Sequence, residues 1–417
     1  MIRAGELSES EQLSSQMTLR NYMGANALAG ACSGEAMLIL LAIQLKIPDL
    51  LVACIGALNF LSFLVLPFGF RSAAKHGAGE SIRKQGIRIA LVCGGLVISG
   101  FLPAGKGAGL FFFACLILLY FFRSCAASML FPLEKSITSE RTLPIMLARN
   151  SIVGSVLGLA AGLLLALLLS VAKGPHTLPL IFAGGALFAL LASGALGGLD
   201  EPEKLKRFAA RPIIPQVRLA FSDRLIRKQL AVGCLLNLSL AMMLPVNILA
   251  ARRGGGLGNA DVLLLSSIQI LTGIAASWLT KHLALRYGPR NLMIAAYPLI
   301  WVLALYWILV PERPSLPLAT VPFVTAGFLS VFFSTNLANY FIGSVPDRLQ
   351  IGGTFLVFVV TGGLMGALGM VLNALIFHLA SDHFAASGPL MPFRMFYLVC
   401  GLLFSVWIFV PASLPAK

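Results

Sequence analysis

The sequence predicts an all-α integral membrane protein, with twelve transmembrane helices arranged as two six-helix halves of parallel orientation. Three observations carry that expectation. Of the 417 residues, 58% are hydrophobic and only 11% charged, with a mean hydropathy of +0.90, far more apolar than a soluble domain. Apolar segments of roughly 16 to 29 residues recur along the chain, long enough for a helix to cross about 30 Å of hydrocarbon. A 30-residue basic segment, 199–228, divides those segments six and six.

The elements follow in chain order. Residues 1–21 form a polar N-terminal segment ("GELSESEQLSSQ") that runs directly into a full-length span. That pattern lacks a cleavable signal and makes the first span an uncleaved insertion signal. The first half, 22–198, holds spans 22–45, 49–70, 88–103, 108–130, 148–171 and 178–198. After the central segment, the second half, 229–412, holds 229–250, 261–280, 291–310, 317–341, 351–379 and 394–412, followed by the tail 413–417. A transmembrane barrel would need short segments of alternating polarity, and "LGLAAGLLLALLLSVA" has no alternation. The seven cysteines all fall within spans, where they read as small packing residues.

A net charge of +15 raises the question of a polyanionic partner, and the placement of the charges answers it. The odd-numbered connections carry only Lys46, Lys106, Lys173, Arg252, Arg253 and Arg313, whereas the termini and the alternate connections carry twenty-one Lys and Arg, eight of them in 199–228. Such asymmetry is the positive-inside signal. It places both termini and the central loop in the cytoplasm of a cell-membrane protein and gives no reason to expect nucleic acid.

Polar side chains are distributed unevenly among the spans. Away from their ends, spans 3, 6, 9 and 12 contain no Asp, Glu, Asn, Gln, Lys or Arg, which suits them to face lipid. The remaining spans carry Asn26, Glu35, Asn59, Arg123, Asn150, Asn237, Asn247, Gln269, Asn336, Asn339, Asn373 and His378. Span 5 from Val153 aligns without gaps on span 11 from Thr361, pairing Gly154 with Gly362, Gly158 with Gly366 and Ala166 with Ala374. Halves with an even number of spans insert in the same direction, which gives parallel repeats.

At the connection after span 8 the chain begins to resemble the major facilitator superfamily of secondary transporters. "KHLALRYGPR", 281–290, follows the family pattern G-x-L-a-D-R-x-G-r-R at Leu283, Ala284, Arg286, Gly288 and Arg290, but has Lys281 for Gly, Leu285 for Asp and Pro289 for the first Arg. "AAKHG", 73–77, echoes it after span 2 with Lys75 and Gly77 at the same spacing, again without the Asp. The resemblance implies the major facilitator fold and a gating role for Lys75, Gly77, Arg286, Gly288 and Arg290. Physically, a glycine turn brings basic groups to cytoplasmic helix ends, where helix dipoles and acidic partners lie; simple anchoring by the arginines is the competing reading. The family's helix-4 Arg has a counterpart in Arg123, and "GSVLGLAAGL" keeps Gly154, Gly158 and Gly162 of an antiporter pattern while lacking its Pro. Four-residue glycine spacing also permits simple close packing.

The resemblance therefore implies a transporter that moves a small solute by alternating access, with protons or another ion as candidate coupling partners. A cavity lined by Glu35, Asn59, Arg123, Asn237, Gln269, Asn336 and Asn339 would hold the solute, with Tyr120 and Phe333 as further contacts. Glu35 is the only acid placed well inside a predicted span, about 20 Å along it at 1.5 Å per residue, and its proton affinity would change with the hydration of its surroundings. Two alternatives remain at this stage: a lipid or lysolipid translocase, and a membrane sensor that does not transport. "AGKGAG" lacks the spacing of a phosphate loop, and "HLASDH" supplies too few ligands for a metal. No nucleophile, base and orienting group converge, so neither an enzyme nor a cofactor is expected, and a monomer is.

Overall fold

The computed structural model describes residues 8–137, 143–172, 174, 176–201, 205, 209, 212–405 and 409–415. Parts of the predicted N-terminal segment, central loop, last span and tail lie outside these residues. Among those described, ten helical stretches are long and apolar enough to cross a membrane.

Span 1 consists of α1 (Glu9–Cys32) and α2 (Glu35–Gln44), interrupted at Ser33 and Gly34. α1 begins well before the apolar run because a capping box stabilises its start, with Glu11 N–H donating to Ser8 Oγ at 3.3 Å and Ser8 N–H to Glu11 Oε2 at 2.7 Å. Span 2 continues through α3 (Asp49–Leu61), a 3₁₀ turn (Ser62–Val65) and α4 (Leu66–His76), so it is a helical path with a tightened centre. Next come α5 (Ala78–Phe101), α6 (Lys106–Ser136), α7 (Leu143–Val171) and α8 (Thr177–Ala195). The segment read as a connection includes α9 (Ile213–Ser222).

The second half starts with α10 (Arg224–Leu249), extended by a π turn (Ala250–Gly254), then α11 (Asn259–Tyr287). Span 9 is α12 (Pro289–Ala296) and α13 (Leu299–Leu309); span 10 is α14 (Leu316–Ser344). Span 11 joins α15 (Asp347–Leu356) through a π segment (Val357–Leu364) to α16 (Met365–Phe384), and α17 (Met391–Ser405) begins span 12.

Two helices are longer than the hydropathy boundaries. α5 starts at Ala78 and not at 88, because the Glu201 carboxylate accepts from the backbone N–H of Ala78 at 2.8 Å and Gly79 at 3.0 Å, satisfying donors that would otherwise limit the helix start. Its added turns are polar and include Glu80, Arg83, Lys84 and Gln85. α6 passes Leu130 and ends at Ser136, bringing in a second buried acid, Glu134, which accepts from Asn150 Nδ2 at 3.2 Å.

The chain divides into two compact units: Met1–Leu58 with Ser62–Pro212, and Asn59–Leu61 with Ile213–Lys417. In the first, α1 packs on α7 and α8, and α5 packs on α6 and α8. Small residues set these approaches; a Cβ on Gly100 would lie 2.5 Å from Pro179 Cγ, and one on Gly185 would lie 3.1 Å from Cys32 Cβ. Gly154 and Gly158 differ, since a Cβ there meets nothing within 4 Å and close packing does not account for them. In the second unit α11 packs on α14 and α10 on α16, around a core that includes Tyr297, Trp307, Phe396 and Tyr397. Its buried polar tips are paired: Trp307 Nε1 donates to Asn247 Oδ1 at 2.7 Å and Tyr397 Oη to the Met243 carbonyl at 2.9 Å.

Large apolar side chains point outward on α5 (Leu91, Ile98), α8 (Leu180, Leu187), α13 (Leu305, Leu309) and α17 (Leu402). α7 does the same with Val156, Leu164, Leu167 and Val171, so an apolar outer face is not confined to every third helix. The described cysteines Cys32, Cys93, Cys115, Cys125, Cys234 and Cys400 are free thiols.

Candidate substrate site

The polar cluster of the first unit forms where span 1 breaks. "ACSGEA" cannot continue a helix smoothly: Ser33 closes α1 at φ −128°, ψ 26°, and Gly34 is extended at φ −74°, ψ 172°. Glycine is required at position 34 because a Cβ there would approach the Gly30 carbonyl oxygen to 2.8 Å. Glu35 then opens α2, so its carboxylate sits at the positive end of a half-helix inside the span.

Ser33 joins this break to α6. Its hydroxyl donates to the Ala29 carbonyl at 2.6 Å and accepts from Arg123 Nη2 at 2.6 Å. The Arg123 guanidinium is thereby held against the break in span 1.

Tyr120 lies one turn before Arg123 on α6. It is only 3% exposed, its Oη has no hydrogen-bond partner, and it stands within electrostatic range of both Glu35 and Arg123. Cys93 of α5, fully buried, borders Arg123 and Ser33. Glu35 and Arg123 are both half-buried, enclosed by protein yet retaining some accessible surface. Among the described residues, no side chain donates to the Glu35 carboxylate, and the two charges do not form an ion pair with each other.

The other expected cavity residues belong to the second unit. Asn59 is half-buried on α3. Asn237 Nδ2 donates to the Gly233 carbonyl at 3.0 Å, and Asn336 Nδ2 to the Phe332 carbonyl at 2.7 Å, so each uses its amide on its own helix. Asn336 is fully buried with Oδ1 unpartnered, Gln269 is half-buried, and Asn339 is exposed. Phe333 is core packing. His378 and Asp382 approach to 3.5 Å at an exposed site, and no cluster of ligands suited to a metal occurs among the described residues. Apolar grooves beside α7 and α8 and between α16 and α17 contain none of the candidate cavity residues.

The two motif-bearing connections share one backbone form. Gly77 has φ 98°, ψ 160° and Gly288 has φ 75°, ψ 149°; each ends one helix and begins the next. Lys75 and Arg286, each two residues before the glycine, are exposed, with Arg286 over the Tyr287 ring at 5.3 Å. Arg290 Nη2 donates to the Ala412 carbonyl at 2.7 Å, tying α12 to the chain end.

These elements describe an all-helical, multi-pass membrane protein with a charged cluster at a broken helix. The chain has the major facilitator fold. Its structure aligns with a point mutant of the nucleoside transporter NupG at a TM-score of 0.73 and 13% identity, covering 96% of this chain and all of that one. Unmutated NupG gives 0.68 and 14%, covering 96% and 99%, and the tetrameric peptide transporter PepTSo2 gives 0.73 and 12%, covering 96% and 98%. No protein-family model matches the sequence, and no curated protein matches it.

Proposed function

We propose that the protein is a secondary active transporter that moves a small solute across a cell membrane by alternating access, as a monomer with both termini cytoplasmic. The two six-helix halves, 22–198 and 229–412, would be the moving bodies. The observation that carries this reading is the broken span 1, where Glu35 opens the second half-helix and Ser33 holds Arg123 against the break, with no ion pair between the two charges. Unpaired charges inside a bilayer cost several kcal/mol unless a cavity or ligand serves them. Discontinuous helices whose half-helix ends meet polar solutes are a recurrent transporter device. The likeness to nucleoside and peptide transporters supports the same reading, but at 12–14% identity it extends to the fold alone.

Protons are the coupling ion we infer, with Glu35 as the carrier. It is half-buried, lacks a hydrogen-bond partner among the described residues, and lies within electrostatic range of Tyr120, so a change in hydration would alter its proton affinity. Glu35→Gln should abolish pH-gradient-driven accumulation in proteoliposomes while leaving solute exchange without a gradient intact. Wild-type accumulation by a well-folded Glu35→Gln protein would refute the coupling.

A further inference from the structure

Arg123 also identifies the kind of solute, on the premise that the span-1 break belongs to the transport site. The residue is half-buried inside the apolar stretch Lys106–Leu130, and among the described residues no carboxylate pairs with it. Of its five donors, one on Nη2 is taken by the Ser33 hydroxyl at 2.6 Å. Nε and Nη1 have no protein partner and are not enclosed, whereas the Nε atoms of Arg83, Arg290 and Arg394 are. A permanent positive charge with open donors inside a span is costly to keep unless a counter-charge visits it. The space beside it is free. Asn26 and Gly30 of α1 and its cap Ser33 fall at four- and three-residue steps, on one stripe of the helix. Asn26 is exposed, and a Cβ built on Gly30 would meet nothing within 4 Å. One turn before Arg123 on the same face of α6, the Tyr120 hydroxyl is buried without a partner, which native proteins rarely tolerate.

We propose that the solute is a small organic monoanion whose carboxylate accepts from the Arg123 donors that Ser33 leaves open, with its neutral remainder over Gly30 toward Asn26. A planar guanidinium and a planar carboxylate match through parallel N–H···O bonds, the strongest pairing open to this side chain. The Tyr120 hydroxyl, closed off from water in this state, donates to the same carboxylate as the site shuts around the solute. One cation stands here, so one negative charge neutralises it. A dianion would carry its excess into a shielded setting, a cation would be repelled, and a neutral solute would leave the guanidinium without a counter-charge. Glu35 makes none of these contacts and keeps the proton role proposed for it.

The test uses the purified full-length protein and acid–amide pairs scored by thermal shift: lactate, 3-hydroxybutyrate, benzoate and hippurate, each beside its primary amide. At least one acid should stabilise the protein, and its amide should bind roughly tenfold more weakly or worse, since it lacks the charge-assisted contact. That comparison needs no variant. Arg123→Gln should abolish the preference for the acid, and Arg123→Lys should keep it at lower affinity, because the charge stays and the fork is lost. Tyr120→Phe should weaken the bound acid severalfold with the preference in place, and Gly30→Leu, which fills the open space, should weaken it too. Equal binding of acid and amide would overturn the proposal, as would a preference that survives Arg123→Gln. So would a panel in which no acid binds, whether or not nucleosides, choline or inorganic phosphate do. Flux in proteoliposomes separates this from the transport reading. An acid that binds with the stated preference and is not moved refutes transport alone, and a neutral or cationic solute moved equally by wild type and Arg123→Gln refutes the monoanion alone.

Discussion

One oxygen of Ser33 serves both halves of the helix break, donating to the Ala29 carbonyl and accepting from Arg123. Ser33→Ala would leave the guanidinium without its 2.6 Å acceptor in a setting shielded from bulk water. Loss of a hydrogen bond to a charged group costs about 1.5–3 kcal/mol, so the variant should unfold at lower temperature. Ser33→Thr, which keeps the hydroxyl, should retain most of that stability in the same melting experiment. Glu35 and Arg123 were legible in the sequence because an ionisable residue in an apolar run demands an account. Ser33 was not. A serine in a membrane helix usually bonds back to the carbonyl four residues earlier, and nothing in the order of residues reveals that the same oxygen accepts from a residue 90 positions away. Nor does the order of residues reveal that Asn237 and Asn336 donate to their own backbone, an option open to any helical Asn.

The helix–glycine–helix junctions at Gly77 and Gly288 hold a backbone conformation that residues with a Cβ rarely adopt. Gly77→Ala and Gly288→Ala should each destabilise the protein by about 1–3 kcal/mol, in similar measure, because the two φ, ψ pairs nearly coincide. Gly158→Ala is the control: a Cβ there meets nothing, and alanine favours helix, so its melting temperature should stay level or rise. Motif spacing located both junctions from the sequence, glycine included. What it could not supply was the acid. Neither connection has the family's Asp, and Glu201, 123 positions beyond Ala78, caps the α5 start directly after the first junction. At the second junction the chain end returns instead, accepting through Ala412 from Arg290. If the basic residues bias the conformational equilibrium, replacing Arg286 and Arg290 together by Gln should slow transport more than it lowers solute affinity. Unchanged transport per inserted molecule would reduce both to membrane anchors.

At the scale of the whole molecule, orientation follows from charge, because the bilayer is symmetric to hydropathy but not to Lys and Arg. Six basic residues on one set of connections against twenty-one on the other is a bias that a few substitutions would not reverse. Two insertion sites test it. The stretch between Glu201 and Pro212 precedes α9, and Gly255–Leu257 follows the π turn at the other end of α10, where Gly256 already adopts φ 70°. The second site adjoins Arg252, whose Nη1 donates to the Leu257 carbonyl at 2.9 Å, so the insertion belongs immediately after Leu257 to keep that bond. A reporter active only in the cytoplasm should be active between Glu201 and Pro212 and silent after Leu257. Because α9, with 10 residues, is too short to span and α10 is the one helix of spanning length between the two sites, their signals must differ if α10 crosses the bilayer once. Activity at both would show that α10 does not span. The reversed pattern would place both termini outside, and with them Lys75, Arg286 and the glycine junctions, ruling out a cytoplasmic gating role for them while leaving the cluster at Ser33 unaffected.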